Sequence, residues 1–125
     1  MGKSVLIVDD SSVVRRILNQ LFTGNGEFHV CGEAENGREA VERAKQLRPD
    51  LIVTDLSMPV MNGLEATRLL KQLMPAVPII IYTNHSDPFI GKEAMLAGAS
   101  AVISKSEAVA TLIAKARSLF DEIAA

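Results

Sequence analysis

Short apolar runs rich in valine and isoleucine recur along the chain and alternate with segments of helical spacing. Runs of this length and composition are typical of strands buried on both faces of a sheet. They occupy residues 5–8, 28–31, 51–53, 77–82 and 101–103. The pattern therefore predicts five buried strands.

The intervening segments carry apolar residues three and four positions apart, which indicates amphipathic helices. The clearest stretches are residues 13–21, 40–47, 66–73 and 109–123. A shorter helix is predicted over 89–97, beginning near Pro88 and ending at Gly98. Strict alternation of buried strands and helices specifies a doubly wound α/β fold, with a parallel sheet covered by helices on both faces through right-handed crossovers.

Turn signals are expected between these elements, and no linker or repeat interrupts the alternation. The signals are Gly24-Asn25-Gly26, Gly32, Asn36-Gly37 and Asn62-Gly63. A chain of 125 residues is the size of one domain, so we expect a single domain over residues 1–125.

The net charge, the length of the apolar stretches and the single cysteine exclude several classes of protein. The net charge of -2 gives no reason to expect nucleic-acid or membrane-surface binding. The chain has no secretory signal or apolar stretch of bilayer length, and its single Cys31 cannot form an internal disulfide. These features predict a cytoplasmic protein in which Cys31 is a packed thiol.

Polar residues follow four of the predicted strands where each strand ends. In an open α/β sheet, ligands bind outside the carboxyl ends of the strands. Asp9 and Asp10 follow the first strand, Asp55 the third, Thr83 the fourth, and Lys105 the fifth. The topology thus predicts three carboxylates, a hydroxyl and an ammonium at one edge of the sheet.

Carboxylates brought this close need compensating charge, since two unit charges about 4 Å apart repel by roughly 4 kcal/mol at an effective dielectric of about 20. Lys105 can offset one charge, and Mg²⁺ suits a site with few carboxylates and room for water. A carboxylate nucleophile beside Mg²⁺, a lysine and a hydroxyl has the groups that phosphoryl transfer requires. The alternative is that Asp9 and Asp10 cap a helix while the other polar residues are solvated, which would make four separate coincidences at one edge.

These residues resemble the receiver domains of bacterial two-component response regulators along essentially the whole chain. The segment from Leu6 to Ser11 looks like the acidic pair after the family's first strand. Residues 48–66 resemble the stretch around its phosphorylated aspartate, and residues 98–105 its fifth strand and lysine. The resemblance implies a flavodoxin-like fold of five strands in the order 2-1-3-4-5 with five helices.

The resemblance also implies a role for each site residue. Mg²⁺ would be bound by Asp10 directly, by Asp9 through water, and by Asp55 and the backbone carbonyl of Ser57. Asp55 would accept the phosphoryl group from a phosphohistidine on a sensor histidine kinase or phosphotransfer protein. Thr83, the backbone N–H of Asn84 and Lys105 would then hold the phosphoryl oxygens, forming a phosphorelay switch with autocatalytic phosphotransfer and autodephosphorylation in place of a turnover enzyme.

In this family, phosphorylation alters the face formed by the fourth helix, fifth strand and fifth helix, which binds the output partner and is also a candidate homodimer surface. Two positions depart from the family pattern. Val102 stands where an aromatic residue often rotates inward, so a ring rotation there cannot be the switch. Ser106 replaces a proline that usually follows the lysine through a cis bond. The cost of a non-proline cis bond favours a trans Lys105–Ser106 bond, but the sequence leaves the isomer open. Ser57 and His85 occupy positions that tune phosphoryl lifetime in the family.

Proteins with other functions share this architecture. An FMN carrier is rejected because Asp9 and Asp10 would repel the cofactor phosphate, and a magnesium phosphohydrolase because it would need an Asp-x-Asp pattern after the first strand. A receiver-like interaction module that is independent of phosphorylation stays open because of Val102. The sequence also leaves open a stand-alone regulator acting on an unidentified partner, or a receiver from a longer protein with an effector domain.

Overall fold

The computed structural model describes residues 2–84 and 87–124. Five strands form one parallel sheet in the order β2-β1-β3-β4-β5, which confirms the predicted order and fold class. Their bounds are β1 Lys3–Val8, β2 Phe28–Ala34, β3 Leu51–Thr54, β4 Ile79–Thr83 and β5 Ala101–Ser104.

Five helices alternate with the strands, and each of the first four follows a polar N-cap residue. Their bounds are α1 Ser12–Gly24, α2 Gly37–Leu47, α3 Gly63–Leu73, α4 Pro88–Ala97 and α5 Val109–Ala124. The side chains of Ser11, Asn36, Asn62 and Asp87 accept backbone N–H groups in the first turns of α1 to α4. Gly98 ends α4 with a φ of 112°, a conformation that favours glycine, as the sequence predicted.

Separate apolar clusters cover the two faces of the sheet. One packs α1 and α5 against it through Leu18, Phe22, Leu112 and Ala116. On the opposite face, α2 and α3 pack through their own alanines and leucines, and α4 through Ala94. This two-sided cover leaves the carboxyl ends of the strands open.

The prediction that Gly32 lies between elements is wrong, because β2 continues to Ala34. The pairing of β1 with β2 runs from Val5 opposite Val30 to Leu6 opposite Gly32, so Cys31 is the extra residue of an irregularity. A side chain at Gly32 would collide with Leu47, since a β-carbon there would lie 2.6 Å from Leu47 Cδ1. The glycine therefore serves close packing inside a strand. Cys31 itself is a half-buried thiol that donates to the carbonyl of Val5, as expected of a packed cysteine.

Some residues in the predicted apolar stripes face solvent. Val13 and Ile17 on α1 are 61% and 49% exposed, and Leu73 on α3 is 48% exposed. The buried faces of α1 and α3 are thus narrower than their apolar stripes. In the described part of the chain, no helix combines the length and apolar character needed to cross a membrane.

Candidate functional site

The parallel ladder brings Asp9 and Asp55 side by side at the carboxyl edge of the sheet. Asp9 directly follows β1 and Asp55 directly follows β3. The backbone N–H of Asp9 donates to Ala34 at 3.0 Å, and that of Asp55 donates to Val8 at 2.9 Å, so sheet-like bonding continues to both residues. Ligand oxygens of Asp9, Asp10 and Asp55 all lie within 4.8 Å of one another. The structure thus brings together the three predicted carboxylates.

Asp9 is held at every polar atom. Besides its N–H bond to Ala34, its carbonyl oxygen accepts Arg15 Nη1 at 2.7 Å. Its Oδ1 accepts the Ser11 N–H at 2.9 Å, and its Oδ2 accepts Lys105 Nζ at 2.8 Å. Asp9 is buried whereas the adjacent Asp10 is exposed, so one acid of the pair is fixed in the protein and the other faces solvent.

Lys105 connects the two buried carboxylates. Its backbone N–H donates to the carbonyl of Thr83 at 2.8 Å, which places it beyond the end of β5. Its Nζ lies 2.8 Å from Asp9 Oδ2 and 3.2 Å from Asp55 Oδ2. Burial disfavours the charged ammonium, but the hydrogen bond to Asp9 and the charges of Asp55 and Asp9 outweigh it and raise the pKa of Lys105. The lysine is therefore a permanent cation in the site.

Asp55 has a different electrostatic balance. Burial raises the pKa of its carboxyl group, and the charge of Asp9 raises it further. The charge of Lys105 and the Leu56 N–H, which donates to Asp55 Oδ1 at 2.7 Å, act in the opposite direction without cancelling the rise. A cation added beside Asp55 would favour its ionised form.

The loop after Asp55 depends on a glycine. The N–H of Gly63 donates to the carbonyl of Leu56 at 2.7 Å, and a β-carbon at Gly63 would overlap the carbonyl oxygen of Asp55. Within the loop, the Met61 N–H donates to Pro59 O across Val60, whose φ is 68°. This is a classic γ-turn geometry, which is strained for a β-branched residue.

The remaining predicted residues lie around this edge. Thr83 is fully buried at the end of β4, whereas Asn84 and Ser57 are exposed. His85 lies outside the described residues. The Lys105–Ser106 bond is trans, as expected from the absence of proline, and the hydroxyls of Ser104 and Ser106 are 2.7 Å apart.

The donor chemistry of the site fits a hard divalent cation. Three carboxylates carry a formal charge of minus three when ionised, and Lys105 supplies one opposing charge among the groups described above. Carboxylate and carbonyl oxygens are the ligands that Mg²⁺ prefers. Asp9, Asp10 and Asp55 therefore form a metal-compatible acidic pocket.

Arg15 and Glu33 also belong to this region, and the sequence analysis did not identify them. Arg15 Nε lies 3.0 Å from Glu33 Oε1 while its Nη1 reaches Asp9. Arg15 lies on the helix that follows the acidic pair, but only the register of β2 against β1 brings Glu33 to it.

Comparison with known proteins identifies the family. A family model described as the response regulator receiver domain matches residues 5–117. The chain is 43% identical over 105 residues to the chemotaxis protein CheY of Thermotoga maritima, covering 84% of this chain and 87% of that protein. It is 37% identical over 109 residues to the transcriptional regulatory protein LnrK of Bacillus subtilis, covering 87% of this chain and 50% of LnrK. The chain belongs to the response regulator receiver family.

Solved structures agree with this assignment. A two-component response regulator of the LuxR family from an Aurantimonas species superimposes with a TM-score of 0.93 at 30% identity, covering 98% of this chain and 87% of that one. A chain of the CheX-CheY-BeF3-Mg²⁺ complex from Borrelia burgdorferi superimposes with a TM-score of 0.89 at 28% identity, covering 94% of this chain and 89% of that one. The chain is thus a CheY-like receiver, a signalling switch of two-component systems.

Proposed function

We propose that this receiver accepts a phosphoryl group on Asp55 in a Mg²⁺-dependent reaction and transmits the change to the face formed by α4, β5 and α5. One observation carries the proposal: ligand oxygens of Asp9, Asp10 and Asp55 lie within 4.8 Å of one another, and Lys105 bonds both buried carboxylates. A nucleophilic carboxylate surrounded by cation ligands and a fixed ammonium suits phosphoryl transfer.

The reaction follows from these groups. A carboxylate oxygen of Asp55 attacks the phosphorus of a phosphohistidine, the new O–P bond forms, and the P–N bond breaks with its electron pair returning to the imidazole. Lys105, the Thr83 hydroxyl and the Asn84 N–H receive the phosphoryl oxygens. Asp55 must be ionised to attack. Its raised pKa opposes ionisation in the metal-free pocket, and a cation bound beside it would favour the ionised form.

The metal would be held directly by the carboxylates of Asp10 and Asp55 and by the carbonyl of Ser57, and through water by Asp9. When bound, Mg²⁺ supplies positive charge that favours the ionised nucleophile and offsets charge on the transferred group. Asp9 is already fixed by four hydrogen bonds, so the protein supplies a preorganised oxygen at this site.

The partners follow from the same chemistry. The phosphoryl donor is a sensor histidine kinase or phosphotransfer protein, and the output partner binds the α4-β5-α5 face, through which the receiver can also form a homodimer. Slow autodephosphorylation resets the switch. A cytoplasmic location and a single domain over residues 1–125 stay predictions.

The test is to incubate the protein with acetyl phosphate and Mg²⁺ and to measure its intact mass. We expect a gain of one phosphoryl group that disappears without Mg²⁺ and in Asp55→Ala. Asp121→Ala is the matched control, because it removes an exposed aspartate on α5 and should be modified like wild type. A folded wild-type protein that gains no mass at saturating acetyl phosphate would contradict the proposal and favour a phosphorylation-independent interaction module.

A further inference from the structure

Arg15 is linked to the acidic pocket through the backbone. Its side chain is 17% exposed, and its Nη1 donates to the carbonyl oxygen of Asp9 at 2.7 Å. That carbonyl lies past the end of β1 and before α1, whose first capping bonds go to Ser11. Without Arg15, a buried backbone acceptor would lose its partner, which carries a free-energy penalty.

Glu33 fixes the guanidinium of Arg15. Its Oε1 accepts Arg15 Nε at 3.0 Å, and its Oε2 accepts Asn19 Nδ2 at 3.2 Å. Two different nitrogens of one planar group thus bind two acceptors, Glu33 on β2 and the carbonyl of Asp9. A lysine ammonium, as a single point charge on a flexible stem, does not reproduce this arrangement.

We propose that Arg15 is a positioning residue for the metal pocket, holding the turn that carries Asp9 and Asp10 through its bridge to Glu33. The inference rests on the proposed Mg²⁺ site. The Asp9 carbonyl belongs to the peptide unit that joins Asp9 to Asp10, so its hydrogen bond to Arg15 fixes the orientation of that unit. Asp10 contributes the N–H of this peptide unit, so the position of its exposed carboxylate depends on how the unit is oriented.

The charge of Arg15 and its positioning role predict opposite changes in Mg²⁺ affinity when Arg15 is substituted. A cation beside the site repels Mg²⁺, so losing its charge alone would tighten metal binding. Losing a residue that holds ligands in place would weaken it, and substitutions in the shell behind metal ligands typically cost about 10-fold or more in affinity. The sign of the change therefore separates the two effects.

The experiment measures Mg²⁺ affinity by calorimetry for wild type, Arg15→Met and Arg16→Met. We expect binding to Arg15→Met to be weaker by about 10-fold, and binding to Arg16→Met, which removes an exposed neighbouring cation, to be within about twofold of wild type. Unchanged or tighter binding to folded Arg15→Met would overturn the proposal.

Glu33 gives a second test that keeps Arg15 in place. Glu33→Ala and Glu33→Gln both remove one negative charge, but only glutamine keeps an oxygen that can accept Arg15 Nε. Weaker Mg²⁺ binding to the alanine variant than to the glutamine variant supports positioning. Equal affinities in the two variants would contradict it even if Arg15→Met does not fold.

Hydrogen exchange in the metal-free protein tests the positioning role of Arg15 separately from the proposed function. In the apo protein, the amide of Ser11 donates to Asp9 Oδ1, so its hydrogen exchange reports order in the turn. Arg15→Met should accelerate that exchange relative to amides in the middle of α1, whereas Arg16→Met should not. If Arg15→Met accelerates the exchange but the wild-type protein binds no Mg²⁺, the metal site and the role of Arg15 at that site are both refuted. The contact of Arg15 with the turn would then be structural only. Unchanged exchange would overturn the positioning role itself.

Discussion

Two regions of the molecule are held by different kinds of contact. The carboxylate pocket is formed by Asp9, Asp10, Asp55 and Lys105. The α4–β5 face is formed by α4, β5 and the apolar cluster beneath them. In the pocket, Asp9 and Asp55 are bound by hydrogen bonds of 2.7–3.2 Å. Beneath α4, the contacts are apolar and involve buried and half-buried residues, namely Leu56, Ile81, Ala94, Ala99, Leu64, Ile90 and Val102.

The α4–β5 face is also bordered by an open cleft. The cleft has a volume of about 250 Å³, lies between the β3–α3 loop and α4, and is lined by Leu56, Ser57, Asn62, Leu64 and Ile90. Phe89 and Leu96 on α4 are 65% and 74% exposed. Directional bonds define one geometry, whereas non-directional apolar contacts beside an open cleft allow α4 to repack at lower cost. The difference suits a fixed chemical site coupled to a movable surface.

The largest expected effect is in the pocket, from Lys105→Met. Removing the ammonium leaves two buried carboxylates without their shared partner, and breaking a buried ion pair in this way costs about 3 kcal/mol. Urea denaturation should show this loss in apo protein and a smaller loss with saturating Mg²⁺. Lys92→Met, which changes an exposed lysine on α4, should stay within about 0.5 kcal/mol of wild type. Equal effects of the two substitutions would show that Lys105 does not hold the pocket together.

A smaller effect is expected on the α4–β5 face from Ile90→Ala. This half-buried side chain borders an open cleft, so its truncation should cost about 1.5 kcal/mol, below the usual range for a fully packed core residue. Its neighbour Phe89 is largely exposed, and Phe89→Ala should change stability by less than about 0.5 kcal/mol. Calorimetry should find Mg²⁺ affinity unchanged in both variants, and a loss of affinity in Ile90→Ala would contradict the separation of the two regions.

Asp55→Asn should stabilise the apo protein by about 1 kcal/mol at pH 7, as expected when a functional charge that opposes folding is removed. The folded protein raises the pKa of Asp55 above that of an exposed aspartate, about 3.9. Wild-type stability is therefore fullest below that value and falls as pH rises through the raised pKa. Urea denaturation should show the advantage of the variant at pH 7 and its disappearance near pH 3. An unchanged or destabilised variant at pH 7 would mean that Lys105 fully compensates Asp55.

The smallest effect is expected at the ion pair that joins α3 to α4. Arg68 Nη2 and Glu93 Oε2 are 4.0 Å apart and both side chains are well exposed, so Arg68→Ala should cost less than about 0.5 kcal/mol. Thermal unfolding at low and high salt checks this. A larger loss would show that polar contacts fasten α4 as they fasten the pocket.

Much of the fold could be predicted because each buried strand and each helix end has a local signal. The alternation of apolar runs located all five strands, and Asn36, Asn62 and Gly98 marked helix ends where the structure has them. Gly32 was misassigned because a glycine inside an irregular strand resembles a turn signal locally. Exposure of Val13 and Ile17 was likewise hidden, since burial depends on what packs against a helix.

In the candidate site too, some contacts could be predicted from the sequence and others could not. Parallel strands bring their carboxyl ends to one edge, so the proximity of Asp9, Asp10 and Asp55 follows from topology and could be predicted. The bridge from Arg15 to Glu33 could not, because it depends on the register between β1 and β2. The two hydrogen bonds of Lys105, to Asp9 and to Asp55, could not be predicted either, because they depend on the positions of the side chains.

The proposed switch requires that the state of Asp55 control the α4–β5 face. Its most direct test is to record amide NMR spectra of the protein with Mg²⁺, before and after adding beryllofluoride as a phosphoryl mimic, and to repeat this with Asp55→Ala. We predict changes both around Asp55 and along α4 and β5 in wild type, and none in the variant. Wild-type changes confined to the carboxylate pocket, with α4 and β5 unaffected, would contradict the account.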